Sequence, residues 1–282
     1  MNSRIGRKLL LSVILCLAMT VAIVNTVTIF RATAHSDSLM LMQARSGLNI
    51  IIHRLEEHLN RFEDIYNTLE LSDTISQDNV FNANAAWGNA KETDFDFAAF
   101  YNEEGKVYWQ TGNYNLADIS LDKIGGAGYS GFVNDSRAGL TIQLTKPIKV
   151  NGTVKGAVVV GMKMDNNSWI DQIKLELGNE VTIFSGTTRY ASTILDENEE
   201  RLLGSEMPEY VAEALFNGIG EYEGTAEING QKHYVCYSVF NDINEEPVGA
   251  YLAALSSEES DKLKGVMILT SIIVAVSVAA VF

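Results

Sequence analysis

The stretch LTKPIKVNGTVKGAVVVGMKM, residues 144–164, decides the reading of the fold. Two β-rich runs flank Asn151-Gly152, and Asn-Gly between such runs is a strong hairpin signal, because the tight type I′ turn needs positive φ at both central residues. A second stretch has the same grammar: YSVFNDINEEPVGAYLAALSS, residues 237–257. Each is a strand, a short polar turn, then a Lys-Gly or Val-Gly step into an apolar strand. A pattern used twice in one chain points to an internal duplication, two α/β modules built alike.

Working outward, residues 94–113 (DFDFAAFYNEEGKVYWQTGN) read as a strand over 95–101, a turn over 102–106 and a strand over 107–111. A loop-rich segment, 113–135, follows. Residues 165–178 (DNNSWIDQIKLELG) form a short connecting helix, with Ser168 and Asp171 in capping-box spacing and Gly178 closing it. The order then repeats: NEVTIFSGTTRYASTILD gives two strands, and SEMPEYVAEALFNG a helix capped by Ser205 and ended by Gly218. Three more strands follow, turning at Asn229-Gly230 and over 241–247. Ahead of all this, Leu48, Ile52, Leu55, Leu59, Phe62, Tyr66 and Leu69 step by alternating fours and threes along one long helix. Such a seam either pairs with another helix or packs on the modules beside it.

Both ends are apolar. Residues 9–30 are long enough to span a bilayer and longer than the 7–15 residues of a signal-peptide core, although Ala32-Thr33-Ala34 resembles a cleavage site. Arg4, Arg7 and Lys8 place the N-terminus in the cytoplasm by the positive-inside rule. Residues 265–282 carry no charge and read as a second span, truncated, that returns the chain inward. Lys262 and Lys264 on its outer side run against that rule. Between the spans 18 basic residues meet 36 acidic ones, a balance of −18. That surface repels nucleic acid and anionic lipid. Cys16 lies in the first span and Cys236 in a strand, so no disulfide is expected.

The order of elements over about 35–257 resembles the Cache family of extracytoplasmic sensor domains, in the double form borne by methyl-accepting chemotaxis receptors and sensor kinases. The second module carries most of the likeness, through VTIFSGTTRYAST, LLGSEMPEYVAEALFNG, YEGTAEINGQKHYVCYSVF and PVGAYLAAL. LTIQLTKPIKVNGTVKGAVVVG resembles the family's final hairpin in the first. The resemblance implies an α+β fold: two PAS-like antiparallel-sheet modules on a long N-terminal helix, flanked by two transmembrane helices. It divides the chain into a cytoplasmic N-terminus (1–8), a first span (9–30), a membrane-emergent helix (31–72), a distal module (73–164), a linker helix (165–178), a proximal module (179–258) and a second span (265–282). The receptor it implies is dimeric, sits in the cytoplasmic membrane with residues 31–264 outside, and signals to cytoplasmic partners.

Catalytic and metal chemistry find little support. Gly126-x-Gly128-x-x-Gly131 fits a dinucleotide pattern but lacks the flanking strand and helix that would put backbone N–H groups on a pyrophosphate. His53 and His58 are five apart on a helix and diverge. No serine sits in a nucleophile elbow. An enzyme, a metal site and a cofactor are therefore not expected. Small-ligand binding remains, with an amino acid or carboxylate favoured. In the distal module the candidates are Tyr108, Trp109, Tyr129, Arg137, Gln143 and Lys146. There Thr141, Gln143 and Thr145 share one strand face, which is either solvent or pocket floor. Arg137 could hold a carboxylate by paired hydrogen bonds. In the proximal module they are Arg189, Tyr190, Ser192, Tyr222, Tyr234 and Tyr237. Single-module relatives that bind carboxylates carry a basic residue near Arg189. Family habit favours binding in the distal module, with the proximal one as relay. The alternatives are the sensor half of a histidine kinase or cyclic-dinucleotide enzyme, or a membrane-tethered module that binds a protein instead.

Overall fold

A computed structural model of the chain describes residues 2–69, 87, 95–111, 114–124 and 126–280. The polar stretch at 72–91 and residues 112–113 lie outside the described residues, Trp87 apart. Helix α1 (Asn2–Thr68) is one uninterrupted rod of 67 residues. Strands β1 (Phe97–Tyr101) and β2 (Val107–Gln110), the single turn α2 (Leu121–Ile124), and strands β3 (Tyr129–Asp135), β4 (Gly139–Val150) and β5 (Thr153–Lys163) make the first module. Helix α3 (Ser168–Leu177) leads to β6 (Glu180–Ser185), β7 (Thr188–Ser192), helix α4 (Glu209–Phe216), β8 (Glu221–Ile228), β9 (Gln231–Asn241) and β10 (Pro247–Ser256). Helix α5 (Glu258–Ala280) ends the described chain.

The strands form two antiparallel five-stranded sheets, ordered β2-β1-β5-β4-β3 and β7-β6-β10-β9-β8. The second order is the first with each strand advanced by five. The two hairpins singled out in sequence are β4–β5 and β9–β10, so the duplication is structural. Asn151 and Gly152 take φ of 47° and 80°, and Asn229 and Gly230 take 50° and 72°, the paired positive values that select Asn-Gly.

The Lys-Gly and Val-Gly steps also have a physical cause. Gly156 precedes Ala157, which pairs with Tyr101 on β1, and Gly249 precedes Ala250, which pairs with Phe184 on β6. A Cβ on Gly156 would overlap the Tyr101 carbonyl oxygen, and one on Gly249 that of Phe184. Only glycine lets the central strand approach its neighbour there.

The heptad-like seam is covered by the chain's own sheets. Ala44, Leu48, Ile51, Leu55 and Phe62 are buried with Leu140, Ile142, Val158 and Val160 of the first sheet and Val181, Ile183 and Ala253 of the second. Every other residue of β1, β4, β5, β6 and β10 faces α1, as the two-residue period of a strand demands. At about 1.5–3 kcal/mol per buried large side chain, this one stripe anchors both sheets. At Gly47 the chain entering β6 comes close to α1: a Cβ there would lie 2.5 Å from Asn179 Nδ2. Phe132 stacks on Phe240 at 3.8 Å between ring centres and joins the two modules directly.

Local expectations fail in three places. The segment 113–135 contains β3, an edge strand whose side chains alternate only weakly because most are half-exposed. The N-cap of α3 is Asn167 rather than Ser168, and it forms no side-chain cap. The N-cap position of α4 is Pro208 rather than Ser205, whose hydroxyl is taken by Arg189 instead.

Beyond the sheets α1 projects without cover. Leu9, Val13, Leu15, Ile23, Val24 and Phe30 are exposed, Phe30 at 73%. Among the described residues it is the one helix long and apolar enough to cross a membrane. The expected second span falls on the later part of α5, where Val266, Leu269, Ile272 and Ile273 are likewise exposed. Cys16 is exposed on α1 and Cys236 is buried, so the two thiols are free.

Candidate functional site

Each sheet has an inner face toward α1 and an outer face closed by its own connections. On the proximal outer face Phe184, Val235, Tyr237, Ala250, Leu252 and Ala254 pack under Met207 from the loop ahead of α4 and Val211 and Leu215 from α4 itself. Arg189 enters this apolar layer from β7, directly opposite Phe184. It is 6% exposed, and its guanidinium carbon stands 5.3 Å from the centre of the Phe184 ring. Nη1 donates to Ser205 Oγ at 2.9 Å, while Nε has no acceptor among the described residues. No carboxylate among the described residues lies within 4.0 Å of it. The Tyr237 hydroxyl, across Ala250 and Leu252, is also buried without a partner.

Burial presses the Arg189 guanidinium below its ordinary pKa, with Tyr237 the nearby group opposing that shift. Burial likewise pushes the Tyr237 phenol up. A buried cation without a counter-ion is costly, several kcal/mol by general experience. An arginine's planar fork is also the donor best matched to a carboxylate. Beside the pair, Thr182 Oγ1 and Ser192 Oγ hydrogen-bond at 2.9 Å, both buried. Phe184 and Ser205 were missed in sequence. Their only signal was the pairing of a basic strand residue with a hydroxyl sixteen positions on, which sequence spacing does not reveal.

The distal outer face is built differently. Thr141, Gln143 and Thr145 are buried, so this polar stripe is not solvent-facing. Gln143 accepts from Thr141 Oγ1 at 3.4 Å and donates to Thr145 Oγ1 at 3.3 Å. Leu116, Ile119, Leu121 and Ile124 lie over the same face. At its edge Tyr108, Trp109, Gln110, Tyr114 and Arg137 line an open groove of about 420 Å³. Arg137 is engaged there: Nη1 donates to the Leu116 carbonyl at 3.1 Å and lies 3.9 Å from Asp118. Burial pushes the Tyr108 phenol up to about 12.

Three candidates fall elsewhere. Lys146 is on the inner face, 3.1 Å from Glu63 of α1, because it is an odd number of residues from Gln143 and points the opposite way. Tyr190 points toward the distal module, its hydroxyl beside Gly139. Tyr234 also lies on the inner face, at the base of the proximal sheet. Tyr129 and Tyr222 play a shared structural part: Tyr129 donates to the Phe132 carbonyl at 2.7 Å and Tyr222 to that of Thr225 at 3.3 Å. The intervening Gly131 and Gly224 leave room for the rings, since a Cβ would stand 2.7 Å and 3.0 Å from the two hydroxyls. This Tyr-x-Gly repeat on β3 and β8 is a mark of the duplication that the sequence carries in plain view.

Tyr234 belongs to a charged knot joining three elements. Lys264 Nζ of α5 donates to Asp37 Oδ1 of α1 at 2.6 Å and to the Tyr234 hydroxyl at 2.9 Å. Tyr234 itself donates to Asp37. Hydrogen bonds from Lys264, then Tyr234, hold Asp37 below the usual carboxylate range. Burial alone would lower the Lys264 ammonium, but its bonds to Asp37 and Tyr234 outweigh that and raise it. Lys262 pairs with Glu258 at 2.7 Å. The two lysines that conflict with the charge rule are thus held in ion pairs.

Residues 161–265, which contain the whole second sheet, match the family model described as single cache domain 3. The extracellular domain of vpHK1S-Z8, assigned as a histidine kinase, superposes with a TM-score of 0.50 at 13% identity, over 80% of this chain and 98% of that one. The ligand-binding domain of Pseudomonas fluorescens chemoreceptor CtaA, solved with L-isoleucine, gives 0.45 at 10% identity, over 82% and 96%. That of Campylobacter jejuni chemoreceptor Tlp3, solved with 4-methylisoleucine, gives 0.45 at 11% identity, over 82% and 93%. No curated protein sequence matches this chain. The fold is the mixed α+β arrangement of Cache-type extracellular domains: a long helix carrying two antiparallel five-stranded sheets.

Proposed function

We propose that the chain is the extracytoplasmic sensor of a transmembrane receptor of the chemotaxis type, and that its proximal module binds a small carboxylate, an amino acid included. The observation that carries this reading is Arg189, buried among apolar side chains with no acid partner and an open Nε. Retaining such a group has a stability cost that a bound carboxylate would offset. The site then reverses the family-based preference for the distal module, whose one outer-face arginine is already spent on Leu116 and Asp118.

Ligand at Arg189 and Tyr237 would pull on β7 and β9 from the outer side. Strand β9 presents Tyr234 to the knot on its inner side, so a shift of that strand changes how Asp37 of α1 and Lys264 of α5 are held together. We infer that α1 and α5 both cross the cytoplasmic membrane and carry that change to a cytoplasmic signalling module, in a homodimer. No catalytic role is proposed.

The test is differential scanning calorimetry of the full chain in lipid nanodiscs against amino acids, dicarboxylates, sugars and amines. A ligand at a hundred times its Kd adds about 2.7 kcal/mol of stability. A carboxylate should raise Tm in the wild type by clearly more than in Arg189→Met. A shift given by sugars or amines alone, or a carboxylate shift of equal size in Arg189→Met, would contradict the reading.

A further inference from the structure

A second cavity lies far from Arg189, where α1, the start of β1 and α3 meet. It holds about 300 Å³ and is lined by Arg54, Glu57, His58 and Arg61 from α1, by Asp96, and by Ser168, Trp169, Gln172 and Glu176 from α3. That is the lower end of the size range of small-molecule sites.

Trp169 is only 8% exposed, and its indole Nε1–H has no acceptor among the described residues. An indole nitrogen can only donate, and a buried donor without an acceptor is rare enough to require an explanation. The same residue sits in the first turn of α3, whose leading N–H groups find no partner within the helix. The N-terminal Asn167 supplies no side-chain cap, although Asn166 Oδ1 takes the Ser168 N–H at 3.1 Å. The positive end of the helix dipole and a lone indole donor therefore point to one kind of guest, an anion.

The acids around the cavity do not oppose this. Glu176 accepts two bonds from Arg54 Nη2, at 2.8 and 3.1 Å, and Glu57 lies 3.2 Å from Nη1. Asp96 accepts from the Lys163 N–H at 2.9 Å. Each carboxylate is already neutralised or hydrogen-bonded inside the cleft.

We propose that this cleft is a second ligand site, for a small organic anion such as a carboxylate, held by the Trp169 indole N–H and the start of α3. It is independent of the Arg189 site. Because α3 connects the two sheets and the opposite wall is the rod α1, an occupied cleft would fasten the linker to the rod and stiffen the junction between modules.

The experiment is isothermal titration of the full chain in lipid nanodiscs with succinate and L-glutamate, with succinamide as the uncharged control. One of the two anions should bind with a Kd that rises at least about ten-fold in Trp169→Phe, which keeps the ring packing and loses the donor. Gln172→Glu, an exposed change that brings a like charge to the cleft, should weaken the same binding and cannot be dismissed as misfolding. Arg189→Met should leave it unaltered. Equal affinity in Trp169→Phe and Gln172→Glu, binding abolished by Arg189→Met, equal binding of succinamide, or no heat from either anion would each overturn the proposal.

Discussion

The two modules share a backbone plan and part company on their outer faces. Strand order, the positive-φ hairpin turns, the glycine steps and the Tyr-x-Gly bonds coincide. Where the proximal sheet sets Arg189 opposite Phe184, the distal sheet sets Val107 opposite Tyr101. Where it has Tyr237 opposite Leu252, the distal sheet has Thr145 opposite Val159. The distal face satisfies its polar groups internally through the Thr141–Gln143–Thr145 ladder. The proximal face leaves a cation and a phenol unsatisfied. A shared frame needs only the inner faces and turns to be held. The outer faces are then free to specialise, one toward self-sufficiency and one toward a guest.

That comparison can be broken at the frame. Phe62→Ala removes a fully buried side chain of the common stripe and should cost about 3–5 kcal/mol in chemical denaturation, far more than any outer-face change. Gly156→Ala and Gly249→Ala should each cost about 1–3 kcal/mol, and by similar amounts, because the same carbonyl clash arises in both sheets. A marked difference between them would mean that the equivalence is only topological.

It can be sharpened at the outer faces. Arg189→Met should raise the stability of the ligand-free protein by about 1–3 kcal/mol, since an apolar chain of similar length replaces an unpaired buried charge. Gln143→Leu should not, because it strips a satisfied ladder: Thr141 keeps its bond to the Val133 carbonyl, but Thr145 loses the Gln143 donor. A gain at both positions would erase the contrast. A smaller effect concerns the knot below the proximal sheet. The Asp37 pKa is depressed in the folded chain, so its contribution is fully present above the unfolded carboxylate value of about 4 and is lost as pH falls through the lower, folded one. Spin-label distances between Leu39→Cys on α1 and Leu263→Cys on α5 should therefore be constant from about pH 5 to 8 and broaden only in stronger acid. Broadening near neutrality would place control of the knot elsewhere.

Much of the frame was legible in sequence because it rests on local rules. Asn-Gly turns, the 3–4 stepping of α1 and the Lys-Gly and Val-Gly steps each depend on neighbours within a few residues. Face assignments were not legible. Alternation says that Gln143 and Lys146 point opposite ways, but not which of them meets α1. Likewise Tyr234 and Tyr237 stand together among the proximal candidates, although three residues of strand put them on opposite sides. The burial of the Thr141–Gln143–Thr145 stripe depends on chain from 114–124 folding back over it, a long-range event. Arg189 was found by resemblance, and its distinguishing feature, the lack of an acid, exists only in three dimensions. Ser205 looked like a helix cap because a serine ahead of an amphipathic run usually is one. Here the arginine claims it first.

The most direct test of the central claim is the affinity of one bound carboxylate, measured by titration calorimetry on the full chain in nanodiscs, in three proteins side by side: wild type, Arg189→Met and Arg137→Met. We predict that the first change weakens binding by about a hundred-fold or more, the loss of two charge-assisted hydrogen bonds, and that the second leaves it within about two-fold. The reverse pattern, with Arg137→Met abolishing binding and Arg189→Met tolerated, would move the ligand to the distal module and contradict the account.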